Sequence, residues 1–175
     1  DVMGVRKAMG NMASSLSTWG LRHLAHRPAA NMPGKIALKI DPRIIAESMD
    51  KITEGSIVVV GTNGKTTITN MIADALERQG KSIACNRTGA NLAYGVATTL
   101  LQTKGTVEWG VFESDELWLA HTLPQVQADY VLLLNLFRDQ LDRCGEIDRV
   151  QDAIATALEQ SLNTTLLYNA DDPLC

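Results

Sequence analysis

The fold is decided by residues 58–67, Val-Val-Val-Gly-Thr-Asn-Gly-Lys-Thr-Thr. The β-branched run at the start of this stretch predicts a strand, and its lysine and threonines open a segment with helical apolar spacing. The glycines between them permit positive φ and close approach of the backbone to an anion. Because N–H groups at a helix N-terminus attract phosphate oxygens, the stretch predicts a strand, a phosphate-binding turn and a helix.

The same stretch supplies the candidate nucleotide-binding residues, which contribute main-chain N–H groups, hydroxyls and an ammonium group. They are Thr62, Asn63, Gly64, Lys65, Thr66 and Thr67. A lysine in this position reaches the terminal phosphates of a nucleotide, and the hydroxyl after it suits Mg²⁺. Two residues separate Gly61 from Gly64. This spacing is shorter than the usual G-x-x-x-x-G-K-[ST] pattern.

Around this turn, apolar strands alternate with segments of helical periodicity. The predicted strands are 56–60, 82–85, 107–112, 129–134 and 164–168, and the predicted helices lie near 66–79, 91–102 and 147–161. Continuously apolar strands indicate burial on both faces. The alternation therefore predicts an α/β fold, a doubly wound and mainly parallel sheet between two layers of helices.

The residues before the sheet predict helices and a connector. Apolar spacing predicts an amphipathic helix over 3–25 with a partly basic polar side, and Pro and Gly in 27–40 predict a connector with a short extended piece. Asp41-Pro42 is a typical helix start, with an apolar face that continues to Ile52. We expect a helical segment and connector over 1–54 and an ATP-binding domain over 55–175.

Composition limits the classes of protein that this chain fits. Its 175 residues are 45% hydrophobic and 21% charged, which is typical of one soluble domain. The net charge is −4, and basic clusters with interleaved aromatics, the signature of nucleic-acid binding, are missing. No apolar run reaches the length of a membrane span. The three cysteines lie far apart, which favours a reducing, cytoplasmic compartment.

Polar side chains follow the predicted strands at their carboxyl ends, where ligands bind in open parallel sheets. Glu113 comes directly after the strand at 107–112. It is the candidate magnesium ligand together with Thr66, and a catalytic candidate together with Lys65. Asp115 and Glu116 have weaker claims, since either can simply cap the following helix.

Two further loops are candidates for contact with phosphate or substrate. Asn91 ends the loop 86–91, whose small polar residues fit either a binding role or ordinary turn chemistry. Asn135 and Arg138 lie in the loop 135–143, which follows the most apolar strand. Helix capping is the alternative there.

Together these residues resemble the Mur ligase family, whose central ATPase domain carries Gly-Thr-Asn-Gly-Lys-Thr-Thr as it stands at 61–67. The stretches 33–42, 86–92, 137–143 and 169–173 are similar to the MurT branch of this family, the ligase-like subunits of lipid II isoglutaminyl synthases. The resemblance spans residues 33–175 in order. It implies a P-loop fold and an incomplete ligase, because the family's C-terminal domain is absent from this chain.

The resemblance implies ATP-dependent amidation in peptidoglycan biosynthesis. In this branch, ATP and Mg²⁺ convert the α-carboxylate of D-glutamate in lipid II to an acyl-phosphate. Ammonia from a GatD-like glutaminase, the other subunit of a heterodimer, then yields D-isoglutamine. The implied setting is cytoplasmic, at the inner face of the membrane. The basic helix at 3–25 would bind lipid there or pack on protein.

Two positions relate this chain to metal sites of the family. Gln140 occupies a slot where many members have histidine. Many members also have a carbamoylated lysine further along the chain, and no lysine follows Lys104 here. We therefore expect one dominant magnesium ion, held by Thr66 and Glu113. Cys175 falls where the first cysteine of the MurT zinc ribbon stands, so the resemblance implies zinc in the full-length protein.

Other functions remain open on the residues alone. An amino-acid-adding Mur ligase or a folylpolyglutamate synthase forms a peptide bond instead of using ammonia. A nucleotide-dependent switch or assembly protein is the alternative of another class. Such a switch normally carries a guanine-specificity motif such as Asn-Lys-x-Asp, which this sequence lacks.

Overall fold

A computed structural model of the protein describes residues 31–136 and 146–175. The predicted helix at 3–25 and the candidate residue Arg138 lie outside these residues. In the described part, the chain alternates strands and helices from residue 52 onward.

Five strands form one sheet in the order β2-β3-β1-β4-β5, and every neighbouring pair is parallel. The strands are β1 (Ile52–Val60), β2 (Ile83–Cys85), β3 (Val107–Glu113), β4 (Tyr130–Leu133) and β5 (Thr165–Tyr168). The helices are α1 (Met32–Ile40), α2 (Ile44–Ser48), α3 (Lys65–Arg78), α4 (Ala93–Gln102), α5 (Leu119–Val126) and α6 (Glu146–Glu159). The predicted parallel α/β sheet is confirmed.

The helix predicted from Asp41 to Ile52 is wrong in its second half. Only Ile44–Ser48 is α-helical, and a short 3₁₀ turn, Met49–Lys51, leads into β1. Ile52 already pairs with Val107 of β3, so the strand begins before the predicted residue 56. The sheet partner decides this boundary, and the helical spacing of the apolar residues does not reveal it.

The connector predicted at 27–40 is also wrong over residues 32–40, which form α1. Pro33 is compatible with a helix because it occupies the first turn, where its missing N–H removes no helical hydrogen bond. Gly34 packs closely against α4, and its N–H donates to Thr98 Oγ1 at 2.9 Å. Glycine serves close packing here and does not break the helix.

Replacing Gly34 by alanine tests this packing. The new Cβ would meet the Tyr94 carbonyl oxygen and lie 2.6 Å from Thr98 Oγ1. We expect overpacking to lower the free energy of unfolding by about 1–3 kcal/mol, measured by urea denaturation of the full-length protein. Lys35→Ala, an exposed substitution on the same helix, is the control. Equal stability of G34A and wild type would contradict the α1–α4 contact.

Helix α5 is absent from the three helices predicted after residue 56, although the capping alternative for Asp115 and Glu116 assumed a helix after them. It spans eight residues and contains Pro124, features that weaken a helical prediction. Its apolar face is nevertheless buried, with Leu119 and Leu123 fully enclosed in the core. Burial of that face therefore decides the helix, against its local propensity.

The core is aliphatic and includes residues on both sides of the predicted boundary at 54/55. Val58, Phe112 and Val131 come from the sheet, while Ala37 and Ile45 come from α1 and α2. The division into 1–54 and 55–175 stays a prediction. No helix in the described part of the chain has the length and apolarity that a bilayer crossing requires.

The strand order fixes where a ligand would bind. Strand β1 lies between β3 and β4, with Val59 in register with Glu113 and Val60 in register with Leu133. After β1 the chain forms β2 and β3 on one side of β1, and then it crosses to form β4 and β5 on the other side. The direction in which strands are added therefore reverses at β1. Crevices outside such reversal points are the usual ligand sites of open α/β sheets.

Candidate functional site

The turn after β1 has the backbone conformation that its glycines permit. Gly61 has φ 143° and Gly64 has φ 85°, values that disfavour any side chain. A Cβ at Gly61 would lie 3.0 Å from Leu134 Cβ and 3.1 Å from the carbonyl oxygen of Asn135. This glycine therefore lets the turn lie directly against the chain that follows β4.

The first turn of α3 presents N–H groups at the crevice. Ile68 donates the first helical hydrogen bond, to the carbonyl oxygen of Gly64 at 2.9 Å. The N–H groups of Lys65, Thr66 and Thr67 precede that bond and have no acceptor within the helix. Such N–H groups can bind an anion, and anion binding by these residues stays a prediction.

Asn135 fastens the turn to the end of β4. Its Oδ1 accepts the N–H of Asn63 and its Nδ2 donates to the carbonyl oxygen of Asn63, both at 3.0 Å. The carbonyl oxygen of Asn135 also accepts the N–H of Thr62 at 3.0 Å. The N–H groups of Thr62 and Asn63 are thus engaged by Asn135, and those from Gly64 to Thr67 remain candidates for phosphate binding.

Replacing Asn135 by alanine removes both side-chain bonds to the turn. At about 1 kcal/mol for each bond, we expect the free energy of unfolding to fall by about 2 kcal/mol. Nucleotide affinity should fall by about tenfold, because a looser turn must be ordered on binding. Urea denaturation and nucleotide titration of the full-length protein measure the two effects. Asn163→Ala, an exposed substitution before β5, should change neither, and normal affinity in N135A would contradict the role.

Glu113 is a buried carboxylate beside the first turn of α3. The residue is only 2% exposed, and its Oε2 is buried without a hydrogen-bond partner among the described residues. A Cβ placed on Gly89 would lie 3.3 Å from Thr66 Oγ1 and 3.9 Å from Glu113 Oε1. The hydroxyl of Thr66 and the carboxylate of Glu113 therefore both lie close to one point beside Gly89. Because Gly89 has no side chain, that point stays open.

These oxygens fit a hard divalent cation. A buried carboxylate oxygen without a partner is costly unless a cation or donor compensates it, and Mg²⁺ is bound by carboxylate, hydroxyl and phosphate oxygens. Within residues 31–136 and 146–175, no group of three His, Cys, Asp or Glu side chains is placed to hold a metal. A cation here would thus take its remaining ligands from phosphates and water.

Asn86 holds Glu113 in place from the end of β2. Its Oδ1 accepts the N–H of Glu113 at 2.8 Å, and its Nδ2 donates to the carbonyl oxygens of Glu113 at 3.0 Å and Ala90 at 2.8 Å. The sequence analysis included Asn86 only as part of a polar loop. The available signal was its position directly after a predicted strand, since Asn86 follows 82–85 just as Asn135 follows 129–134.

Lys65 lies over its own turn and contacts Glu116. Its Nζ is 3.3 Å from Glu116 Oε1 and also donates to the carbonyl oxygen of Gly61. Both charged side chains are nearly buried, at 13% and 12% exposure. The sequence analysis gave Glu116 a weaker claim than Glu113, yet Glu116 is the carboxylate that contacts the lysine.

The arrangement matches a known family. Residues 59–175 of this chain match the protein family called Mur ligase middle domain. The chain belongs to the Mur ligase family. The resemblance drawn from the P-loop and the later loops is therefore confirmed.

This Mur ligase is similar to curated MurT subunits of lipid II isoglutaminyl synthase. It is 34% identical to that of Streptococcus pneumoniae, with 98% of this chain and 38% of the relative covered. It is 37% identical to that of Staphylococcus aureus (strain COL), with 82% and 32% covered. The chain thus spans about a third of the length of these relatives.

Solved Mur ligases share the fold. The MurF ligase from Thermotoga maritima in complex with ADP aligns with a TM-score of 0.63 at 21% identity, covering 81% of this chain and 33% of that chain. MurF from Acinetobacter baumannii aligns with a TM-score of 0.61 at 19% identity, covering 77% and 34%. These likenesses support the architecture alone.

The loop 86–91 of this Mur ligase has structural as well as candidate binding roles. The carbonyl oxygen of Asn91 accepts the N–H of Asp115 at 2.7 Å, which ties the loop to the segment after β3. Arg87 pairs instead with Asp74 and Glu77 on α3, and the bond with Asp74 is the main cause of its raised pKa. Contact of Asn91 with phosphate or substrate stays a prediction.

Asp115 bonds within its own turn and does not cap α5, whose N-cap is Trp118 without a side-chain capping hydrogen bond. Asp115 Oδ1 accepts the N–H of Leu117 at 3.0 Å, and the Asp115 carbonyl oxygen accepts the N–H of Trp118 at 3.2 Å. These bonds shape the turn before α5. Asp115 and Glu116 thus differ, because only Glu116 contacts Lys65.

The two described cysteines differ in position. Burial raises the pKa of Cys85, at the end of β2, to about 11, which keeps its thiol protonated at neutral pH. Burial also raises the pKa of Cys175, with Asp172 as a further cause. The pKa of Asp172 is lowered, mainly by the N–H of Leu136. The zinc role of Cys175 stays a prediction.

Proposed function

We propose that this chain is the nucleotide-binding part of an ATP-dependent carbon–nitrogen ligase of peptidoglycan biosynthesis. The full-length protein would amidate the D-glutamate α-carboxylate of lipid II to D-isoglutamine. The similarity to MurT subunits over most of the chain supports the reaction. The structural observation that carries the proposal is the buried carboxylate of Glu113, whose Oε1 lies near the same point as the Thr66 hydroxyl and whose Oε2 has no hydrogen-bond partner among the described residues.

In the proposed reaction, the turn after β1 binds the phosphates of ATP. N–H groups from Gly64 to Thr67 hold phosphate oxygens at the positive end of α3. Lys65 leaves its present partners and neutralises the terminal phosphates. Phosphoryl transfer depends mainly on such positioning and charge neutralisation.

Thr66 and Glu113 are the residues that would hold Mg²⁺. When bound, the ion supplies charge neutralisation on the transferring phosphoryl group. Asn86 keeps the Glu113 backbone fixed through its two bonds to it. The carboxylate of Glu113 would thus hold the ion from a rigid strand end, which favours precise positioning.

The chemistry balances as two displacements. A carboxylate oxygen of the D-glutamate attacks the γ-phosphorus, the bond to the β–γ bridging oxygen breaks, and ADP leaves. The nitrogen of ammonia then attacks the acyl carbon, and phosphate leaves with the former carboxylate oxygen. The extra proton of the nitrogen passes to solvent, which leaves the amide.

A GatD-like glutamine amidotransferase would supply the ammonia by glutamine hydrolysis as the other subunit of a heterodimer. The MurT relatives are subunits of a glutamine-hydrolysing synthase, which supports this partner. The proposed place of action is cytoplasmic, at the inner membrane face where lipid II is available. Zinc bound by the full-length protein, with Cys175 as one ligand, belongs to the same proposal.

The proposal is tested with the full-length protein, lipid II, ATP and Mg²⁺, supplied with either free ammonia or the glutaminase and glutamine. We expect mass spectrometry to show conversion of one carboxyl group to an amide, with equimolar ADP. Omission of ATP should abolish conversion. Failure with both nitrogen sources, together with ADP release that depends on an added amino acid, would support a peptide-bond-forming ligase instead.

A further inference from the structure

We propose that Glu116 competes with nucleotide phosphates for Lys65 and thereby lowers the affinity of the site for nucleotide. This inference rests on the proposed function, because it requires that the turn after β1 binds a nucleotide. It assigns to Glu116 a role as a positioning residue that acts through Lys65. Glu113, in contrast, is placed beside Thr66.

The ammonium group of Lys65 already has hydrogen-bond acceptors within the protein. Lys65 Nζ lies 3.3 Å from Glu116 Oε1, 2.5 Å from the carbonyl oxygen of Gly61 and 3.5 Å from that of Thr62. The Lys65 side chain therefore folds back over the turn that it would neutralise. In this conformation three oxygens of the protein accept hydrogen bonds from the ammonium group that would otherwise donate to a terminal phosphate.

Burial makes this ion pair more than a surface contact. The side chains of Lys65 and Glu116 are 13% and 12% exposed, so water screens their attraction less than at an open surface. Breaking the pair leaves the Glu116 carboxylate near the incoming phosphates, and like charges repel. Nucleotide binding must offset both costs.

The backbone holds Glu116 close to Lys65. The N–H of Asp115 donates to the carbonyl oxygen of Asn91 at 2.7 Å, and the N–H of Leu119 donates to the carbonyl oxygen of Glu116 at 3.3 Å. The segment before α5 is thus tied on both sides of Glu116. A fixed competitor reduces the fraction of molecules with a free lysine, and apparent affinity falls by that fraction.

Glu116→Gln in the full-length protein tests the competition. The amide keeps the shape of the side chain but loses the charge, so we expect ADP and ATP to bind about threefold to tenfold tighter without Mg²⁺ in isothermal titration. Glu77→Gln is the matched control, since it also loses an ion pair, with Arg87, and Glu77 lies in the last turn of α3 whereas Lys65 begins the helix. It should leave affinity unchanged.

Acylation of Lys65 by an amine-reactive ester, followed by mass spectrometry, gives a readout that needs no nucleotide. We expect faster labelling of Lys65 in E116Q than in wild type, with exposed Lys104 as the internal reference. A purely structural role for Glu116 would weaken nucleotide binding in E116Q. If E116Q does not fold, Glu116→Asp, with a shorter acid, should show a smaller gain in the same direction.

The outcomes separate the two proposals. Equal or weaker nucleotide binding by E116Q, with normal binding by wild type, would overturn the competition and leave the proposed function intact. Absence of nucleotide binding by wild type would overturn both. Tighter binding and faster Lys65 labelling in E116Q, with neither change in E77Q, would establish Glu116 as the competitor.

Discussion

Replacing Lys65 by alanine is expected to reduce nucleotide affinity and amidation by the full-length protein by about a hundredfold to a thousandfold. Lys65 is the basic residue of the turn at 61–67, and its charge balances the developing negative charge on the transferred phosphoryl group. Alanine cannot replace that charge. Titration with ATP and steady-state ADP release measure the loss.

Lys104→Ala is the matched control, because Lys104 is exposed in the turn between α4 and β3. It removes the same charge far from the crevice and should leave both measurements unchanged. The K65A variant also leaves Glu116 without its cation, so denaturation must accompany the kinetics. Activity retained within threefold in a folded K65A protein, roughly 0.7 kcal/mol, would contradict the site assignment.

Replacing Glu113 by glutamine is expected to separate activity from stability. Amidation should fall by about a hundredfold or more, because the amide binds Mg²⁺ poorly. Without Mg²⁺, the free energy of unfolding should rise by about 1 kcal/mol, since the unpaired buried charge is removed. Amidation rates over a Mg²⁺ series and urea denaturation without metal measure the two effects.

Glu108→Gln is the control for E113Q because both residues lie on β3. Glu108 bonds to Ser82 and Lys81, with the Ser82 N–H as the main cause that lowers its pKa to about 2. E108Q should keep the Mg²⁺ dependence of wild type. Wild-type activity in E113Q, or a large loss of stability without metal, would contradict the role of Glu113.

The sheet was predictable because its signals are local. Runs such as Val58–Val60 and Val131–Leu134 are apolar throughout and are followed by Gly61 and Asn135, so the strands and their succession along the chain follow from the sequence. The helix α1 was not predictable in the same way. Pro33 and Gly34 usually mark a connector, and here their use in a helix depends on the contact with Thr98, far away in the sequence.

The site divides along the same line. The turn at 61–67 and Glu113 follow from strand ends, which sequence patterns locate well. Two hydrogen bonds join Asn135 to Asn63, 72 positions away in the sequence, and the ion pair joins Lys65 to Glu116, 51 positions away. Such contacts depend on strand order and register, and no short-range pattern encodes them.

The central claim is that a carboxylate of the substrate is activated by ATP at this site. The most direct measurement uses lipid II whose D-glutamate α-carboxylate carries heavy oxygen, with the full-length protein, ATP, Mg²⁺ and ammonia. An acyl-phosphate requires that one labelled oxygen appear in the released inorganic phosphate, which mass spectrometry detects. Amidated lipid II formed with only unlabelled phosphate would contradict the account.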